Sequence, residues 1–414
     1  MSAAVISAAP PKRERDVRLD FFRGLTMFII FIAHADLNPW NAWIPARFGF
    51  SSGTELFVFC SGLASAIAFG SVFVKRGFWL GLARIVYRLW QVYWAQIGVV
   101  LVVIGVMFAA ETLFPGRGLN TDPLPDMLRD PATAIAGLLT LRWLPGYLDI
   151  LPMYLVILAL IPVMMAASLL HRLLPVALSL GLYALVWTTG VNLPGNPWTG
   201  FGWFFNPFAW QLIFFTGFAL GMGWLRAPPL RDRRWLALSA AIIIVSLPLS
   251  FWGFHAAVPA LERAYAAILP GNEKTDLHWL RYVHFLALAY LVLSWVEPRR
   301  ARLTQGLAMI VVKVGRQSLA TFLVSLVAAR TASLAFHLLG TDALVSLAIN
   351  LVGVVIVIAT ALVVGWFKSS PWAVRPSPAR QPVQTVDEIP AAAAKPRQID
   401  QNPVTKQLLP SART

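Results

Sequence analysis

The chain has few charged residues and a single cysteine, and each shortage excludes a class of protein or a kind of site. Charged side chains make up 13% of its 414 residues, whereas ordinary soluble domains contain about 25%. A soluble globular class is therefore excluded. The single cysteine, Cys60, excludes an intramolecular disulfide and a metal site built from several cysteines. We expect no metal ion and no permanently bound cofactor.

Apolar sequence, in contrast, is abundant. Hydrophobic residues account for 58% of the chain, and the mean hydropathy is +0.67. We predict an all-α fold, a polytopic transmembrane helix bundle in the lipid bilayer. The bundle occupies 18–367, between an N-terminal tail (1–17) and a disordered C-terminal tail (368–414). Its apolar stretches predict about ten spans: 19–36, 51–74, 86–110, 147–170, 174–191, 206–225, 234–252, 279–297, 315–338 and 342–367.

The formal net charge of +15 indicates membrane topology. The basic residues cluster in alternate connections between apolar stretches, as the positive-inside rule describes. An even number of spans then places both termini in the cytoplasm and the long connections 111–146 and 253–278 on the periplasmic side. We expect no nucleic-acid partner.

The first apolar stretch carries Asp20, Arg23 and His34, which lipid tolerates poorly. In a helix, Arg23 and His34 point within about 20° of each other and lie ~16 Å apart along the axis. Asp20 precedes Arg23 by three residues, so the two can pair. Burying charge in lipid costs several kcal/mol, so this face must look into the bundle or an aqueous cavity. Alternatively, Asp20 and Arg23 form an interfacial ion pair and His34 merely ends the helix.

The second stretch carries Glu55 four residues in, at about the depth of His34. A carboxylate beside an imidazole holds one tautomer and raises its basicity, as a general base requires. Cys60 has no adjacent basic partner, which favours a buried inert thiol. Small residues of this stretch predict a face for close helix packing: Ser61, Gly62, Ser65 and Ala66.

Three arginines, Arg76, Arg84 and Arg88, have spacings of eight and four, which predict one side of a helix at the cytoplasmic mouth. Arginines there could clamp phosphates or a carboxylate. Positive-inside topology explains Arg76 equally well. Farther along, Arg281 and His284 are three apart and share a face.

No HExxH, Walker A, GxGxxG or GxSxG sequence links these residues to a known soluble chemistry. A transporter, with buried charges and proline-broken helices, is the competing class, but the chain shows no convincing internal repeat. A non-catalytic scaffold leaves the burial of these charges unexplained.

An arginine, ten intervening residues and a histidine in the first span resemble the R-x10-H motif of the membrane acyltransferase-three superfamily. Within it, the chain is similar to the OpgC family, glucan succinyltransferases of the bacterial inner membrane. The similar segments cover most of the chain from Arg18 to about Phe367: RLDFFRGLTMFIIFIAH, NPWNAWIPARFGFSSGTELFVFCSG, RLWQVYWAQ, DILPMYLVILALIP, FNPFAWQLIFFTGFALG, DLHWLRYVHFLALAY and VGRQSLATFLVSL.

The resemblance implies transfer of an acyl group, succinyl in characterised members, from cytoplasmic acyl-CoA to hydroxyls of periplasmic glucans. It makes His34 the catalytic histidine and Arg23 its paired arginine, with Glu55 added to the catalytic set by the local pattern. The residues predicted to bind substrate are Asp20, Arg84, Arg88, Arg281 and His284. Acetyl transfer to another cell-envelope carbohydrate remains the alternative within this class.

Overall fold

The computed structural model describes residues 16–268 and 274–373, so the predicted tails lie almost wholly outside the described residues. The described part is mainly helical, with turns and irregular connections between the helices and one antiparallel bridge between Pro194 and Gly202. Its α-helices are α1 (Val17–His34), α2 (Gly53–Ser65), α3 (Ser71–Arg76), α4 (Phe78–Leu113), α5 (Leu124–Arg129), α6 (Pro131–Leu139), α7 (Ile150–Leu170), α8 (Leu174–Thr189), α9 (Pro207–Met222), α10 (Arg233–Ser250), α11 (Trp252–Ala257), α12 (Pro259–Ile268), α13 (Trp279–Val296), α14 (Gly306–Arg316), α15 (Ser318–Leu339) and α16 (Ala343–Lys368).

Each of the ten predicted apolar stretches contains a helix, so the all-α membrane class is confirmed. Among the described residues, seven helices are long and apolar enough to cross a membrane. The helices α8 and α9 are apolar but shorter, and α1 carries three charged residues within its 18. The count of about ten spans therefore stays a prediction.

Local sequence explains where several helices begin and end. Asn206 caps α9 by accepting from the Phe208 backbone N–H, and Pro207 occupies the first turn. Ser52 caps α2 in a capping box with Glu55. Gly77 has a φ of 89° and separates α3 from α4.

The break at Gly77 corrects the prediction for the three arginines. Arg76 ends α3, whereas Arg84 and Arg88 lie in α4. The predicted common helical face is therefore wrong for Arg76, because the chain turns at Gly77 instead of continuing as one helix.

Two pairs of helices approach until their backbones touch. A Cβ built on Gly24 or Gly315 would overlap the Val311 or Asp20 carbonyl oxygen, so α1 and α14 cross without side chains between them. A Cβ on Gly62 would likewise overlap the Phe214 carbonyl oxygen of α9. Small residues permit such crossings in membrane bundles, and the predicted packing face of α2 is confirmed at Gly62.

Helix α14 was not predicted, because its 11 residues form a short apolar run, interrupted by Lys313, that cannot span a bilayer. It packs along α1 and ends at Arg316, and α15 starts at Ser318. The ninth predicted stretch, which began at residue 315, thus starts near the boundary of two helices.

Candidate active site

A cavity of about 430 Å³ opens where the C-terminus of α1 meets the segments that precede α2, α7, α9 and α13. Its position follows from the fold, because each of these segments leads into a helix that packs in the main hydrophobic core. The side chains and backbone that line it come from five segments: Ile29, Ile30, Ala33 and His34; Ile44, Ala46, Ser52, Gly53 and Thr54; Leu144, Gly146, Tyr147 and Asp149; Gly195, Asn196, Phe201, Gly202, Trp203, Phe204 and Phe205; and Lys274.

His34, the last residue of α1, places its imidazole on the cavity wall. Its Nδ1 lies 2.7 Å from the Ile30 carbonyl oxygen, which can only accept a hydrogen bond. The hydrogen of the neutral ring is therefore assigned to Nδ1. This tautomer leaves Nε2 as the nitrogen that can take a proton.

Part of the cavity wall is aromatic. It is built by Trp203, Phe204 and Phe205 from the loop before α9, and Lys274 lies 5.8 and 5.6 Å from the two phenylalanine rings. The Asp149 carboxyl group, at the N-terminus of α7, adds an acidic side chain to the lining. Apolar walls with a few converging polar groups are typical of small-molecule sites.

Tyr147 lies against His34, with ring centroids 5.0 Å apart and an interplanar angle of 87°. Its hydroxyl donates to Asp36 Oδ1 at 3.3 Å. Burial raises the pKa of the Tyr147 phenol, and the nearby Asp36 carboxylate raises it further. The phenol is therefore held in the protonated form that donates this bond.

Glu55 is fully buried and is bound on both oxygens by groups other than His34. Arg281 donates to Oε1 from Nε at 2.8 Å and from a terminal nitrogen at 2.7 Å. Ser52 donates to Oε2 from its backbone N–H at 2.8 Å and from its hydroxyl at 2.7 Å. Since Ser52 lines the cavity, Glu55 is linked to the site through Ser52. Its predicted role beside the imidazole stays a prediction.

His284 is buried behind the same wall. Its Nδ1 accepts from the Ser51 backbone N–H at 3.3 Å and lies 2.8 Å from the Ser51 hydroxyl. A Cβ on Gly49 would overlap the His284 ring. Arg281 and His284 therefore brace the chain that leads into α2, and among the described residues neither is part of the cavity lining.

Of the remaining predicted residues, Asp20 and Arg23 lie toward the other end of α1, and Arg84 and Arg88 lie in α4. Arg23 donates from a terminal nitrogen to the Ser318 hydroxyl in α15, and Asp20 Oδ2 lies 3.5 Å from Arg316 Nε. On α4, Arg84 is exposed, and Arg88 donates to Gln91 Oε1 at 3.3 Å. The structure thus places Asp20 and Arg23 beside the junction of α14 and α15, while Arg84 and Arg88 lie on the surface of α4.

Tyr147 contacts the His34 ring, and Asp36 and Arg330 contact Tyr147 in turn, but local sequence carries only weak signals for these three residues. Arg330 is a buried charge inside an apolar stretch, which could have marked it as functional. Asp36 and Tyr147 lie in connections, where no periodicity distinguishes them.

The family model described as OpgC protein matches residues 15–369, which include all sixteen helices. No curated protein matches the chain, and no solved structure does. The match and the apolar helices indicate a membrane acyltransferase that acts on glucans. Because the matched region covers far more than half of the sequence, this chain belongs to the OpgC protein family.

Proposed function

We propose that the protein transfers an acyl group, succinyl in the first instance, from acyl-CoA to a glucan hydroxyl, with His34 as general base. The single observation that carries the proposal is the bond from His34 Nδ1 to the Ile30 carbonyl oxygen beside an open cavity. It leaves Nε2 unprotonated on a residue that lines the cavity.

The reaction proceeds as follows. His34 Nε2 removes the proton from a sugar hydroxyl as its oxygen attacks the thioester carbonyl carbon. The new ester C–O bond forms, the C–S bond breaks, and the imidazolium returns the proton to the departing thiolate of coenzyme A. General base catalysis of this kind contributes about 10²–10⁴-fold to the rate.

The acceptor occupies the cavity, where the aromatic wall of Trp203, Phe204 and Phe205 offers flat apolar surfaces to sugar rings and Asp149 accepts from hydroxyls. We place this end in the periplasm of a bacterial inner membrane. Arg23 lies toward the opposite end of α1, which we place on the cytoplasmic side. There Arg23, with Arg84 and Arg88, holds the phosphates or the distal carboxylate of the donor.

The test is an assay of purified protein in detergent with succinyl-CoA and glucan. His34→Ala should lower coenzyme A release and glucan ester formation by at least about 100-fold. Its thermal unfolding should stay close to that of the unchanged protein. His337→Ala, which alters an exposed histidine near the end of α15, is the matched control and should retain full activity.

The proposal is wrong if His34→Ala acylates glucan at the original rate. Release of coenzyme A only in the presence of glucan supports an acyltransferase, whereas glucan uptake into vesicles without ester formation would favour a transporter. Mass spectrometry of the product distinguishes a succinyl group, which adds a charge, from an acetyl group, which does not.

A further inference from the structure

Arg330 is a buried cation that the proposed reaction does not use. It lies in α15 and is 3% exposed. One terminal nitrogen lies 3.5 Å from Asp36 Oδ2, and the other lies 3.6 Å from Asp122 Oδ2 and donates to the Gly146 carbonyl oxygen at 3.1 Å. A buried arginine therefore connects to three separate segments of the chain.

These segments are the connections that follow α1, precede α5 and precede α7. Asp36 joins them further, since its Oδ2 also accepts from the Asn120 side-chain amide at 3.2 Å. Its backbone N–H donates to the Ser333 hydroxyl, three residues beyond Arg330 in α15, at 2.8 Å. The connections at this end of the bundle are thus tied to one turn of α15.

Tyr147 lies between Arg330 and His34. The guanidinium carbon of Arg330 is 4.9 Å from the centroid of the Tyr147 ring, and the His34 ring meets Tyr147 edge to face. Both Tyr147 and Gly146 line the cavity. The Tyr147 ring, which contacts the imidazole, is therefore held by Arg330 over its face and by Asp36 at its hydroxyl. Arg330 also binds the carbonyl of Gly146, the residue before Tyr147.

We propose that Arg330 is a positioning residue, which fixes the His34 imidazole and the cavity wall by holding Tyr147, Asp36 and Asp122. The role rests on the proposed function of His34. It requires a planar guanidinium, which can bond to several acceptors in its plane and stack on a ring, whereas a lysine ammonium is a point charge on a flexible stem. A displacement of about 1 Å in a catalytic site can lower a rate by about 100-fold.

The experiment measures kcat and KM for Arg330→Lys, which keeps the charge and gives the chain its best chance to fold. We expect kcat to fall about 10–100-fold, with KM for succinyl-CoA unchanged and thermal unfolding retained. Arg129→Lys, at an exposed arginine 3.9 Å from Asp126, is the matched control and should keep full activity.

Tyr147→Ala and the double variant test the route through Tyr147. If Arg330 acts by holding Tyr147, the double variant should be no slower than the slower single variant, because each change removes the same contact. Rates that multiply would overturn the role, and so would an unchanged kcat in Arg330→Lys. If Arg330→Lys does not fold, Tyr147→Ala decides alone: an unchanged kcat overturns the role, and a fall of at least 10-fold supports it.

Failure of this role is distinguishable from failure of the proposed function. Loss of transfer in His34→Ala together with full kcat in Arg330→Lys leaves the general base in place and removes only the positioning role. Full transfer in His34→Ala removes the function itself.

Discussion

The two ends of α1 are built differently, although each carries residues that lipid tolerates poorly. At the His34 end, the end of α1 and four connections from other parts of the chain surround a cavity of about 430 Å³. At the Arg23 end, Gly24 and Gly315 bring α1 and α14 into backbone contact, while Asp20 contacts Arg316 of α14 and Arg23 bonds to Ser318 of α15. Polar residues of one membrane helix can therefore line a cavity at one end and join neighbouring helices at the other.

The largest expected effect comes from breaking the ion pair behind the cavity. Arg281→Met leaves Glu55 buried without its cationic partner, which should cost about 3–5 kcal/mol of folding free energy. Thermal unfolding in detergent measures this loss. The double variant Glu55→Gln/Arg281→Met removes both charges and should recover much of the stability. Equal instability of the single and double variants would contradict a stabilising ion pair.

At the opposite end, Gly315→Ala should disrupt the crossing of α1 and α14. The new methyl group overlaps the Asp20 carbonyl oxygen, and overpacking of this kind costs about 1–3 kcal/mol or more. We expect a lower unfolding temperature. Gly98→Ala in α4, where a Cβ meets nothing within 4 Å, is the control. If both variants unfold at the same temperature as the unchanged protein, the crossing is looser than the structure shows.

A smaller effect should follow from Arg84→Gln/Arg88→Gln. If these arginines hold donor phosphates, KM for succinyl-CoA should rise about 2–5-fold, because an exposed charge pair contributes about 0.2–1 kcal/mol. Neither kcat nor the unfolding temperature should change. Arg172→Gln, at an exposed arginine in another connection, should leave KM as it is. An unchanged KM in the double variant would assign both arginines to membrane topology alone.

The smallest effect concerns the pH dependence of stability at Asp122. Burial raises the pKa of its carboxyl group, although Arg330 acts in the opposite direction. A pKa raised by folding stabilises the fold at low pH, and that contribution is lost as the pH rises through the folded pKa. As the pH rises from about 4 to 7, the unfolding temperature of the unchanged protein should therefore fall relative to that of Asp122→Asn.

For Asp130→Asn, we expect the pH dependence of stability to have the opposite sign. Hydrogen bonds from Thr133 lower the pKa of Asp130, so its contribution is present at neutral pH and is lost as the pH falls through the folded pKa. As the pH rises toward about 4, the unchanged protein should therefore gain stability relative to Asp130→Asn, below the pH interval in which it loses stability relative to Asp122→Asn. If the unfolding temperature changes with pH in the same way for both variants, the pKa shifts of Asp122 and Asp130 are contradicted.

The helices were largely predictable, because ten apolar stretches and their caps are local features of the chain. Asn206 and Pro207 are a local signal for the start of α9, and Gly62 indicates a close packing face. Helix α14 was missed because its 11 residues are too few to span a membrane, and its packing along α1 is a tertiary feature. Arg76 was misplaced because one glycine, Gly77, ends a helix that composition alone would continue.

The site was predictable only in part. His34 and Arg23 stood out because charge in an apolar stretch is costly, and His34 does line the cavity. The partner of Glu55 could not be read from the chain, since Arg281 lies 226 residues away. The same holds for Arg330, whose partners Asp36, Asp122 and Gly146 lie in three distant connections.

By itself, the sequence determined that this is a helical membrane protein and that one face of its first helix is polar, because both properties depend on hydropathy and helical spacing. Only the tertiary structure decided which nitrogen of His34 can take a proton, which aromatic ring contacts the imidazole and which cation lies over that ring. Those outcomes depend on how distant segments pack, and no local pattern records such contacts.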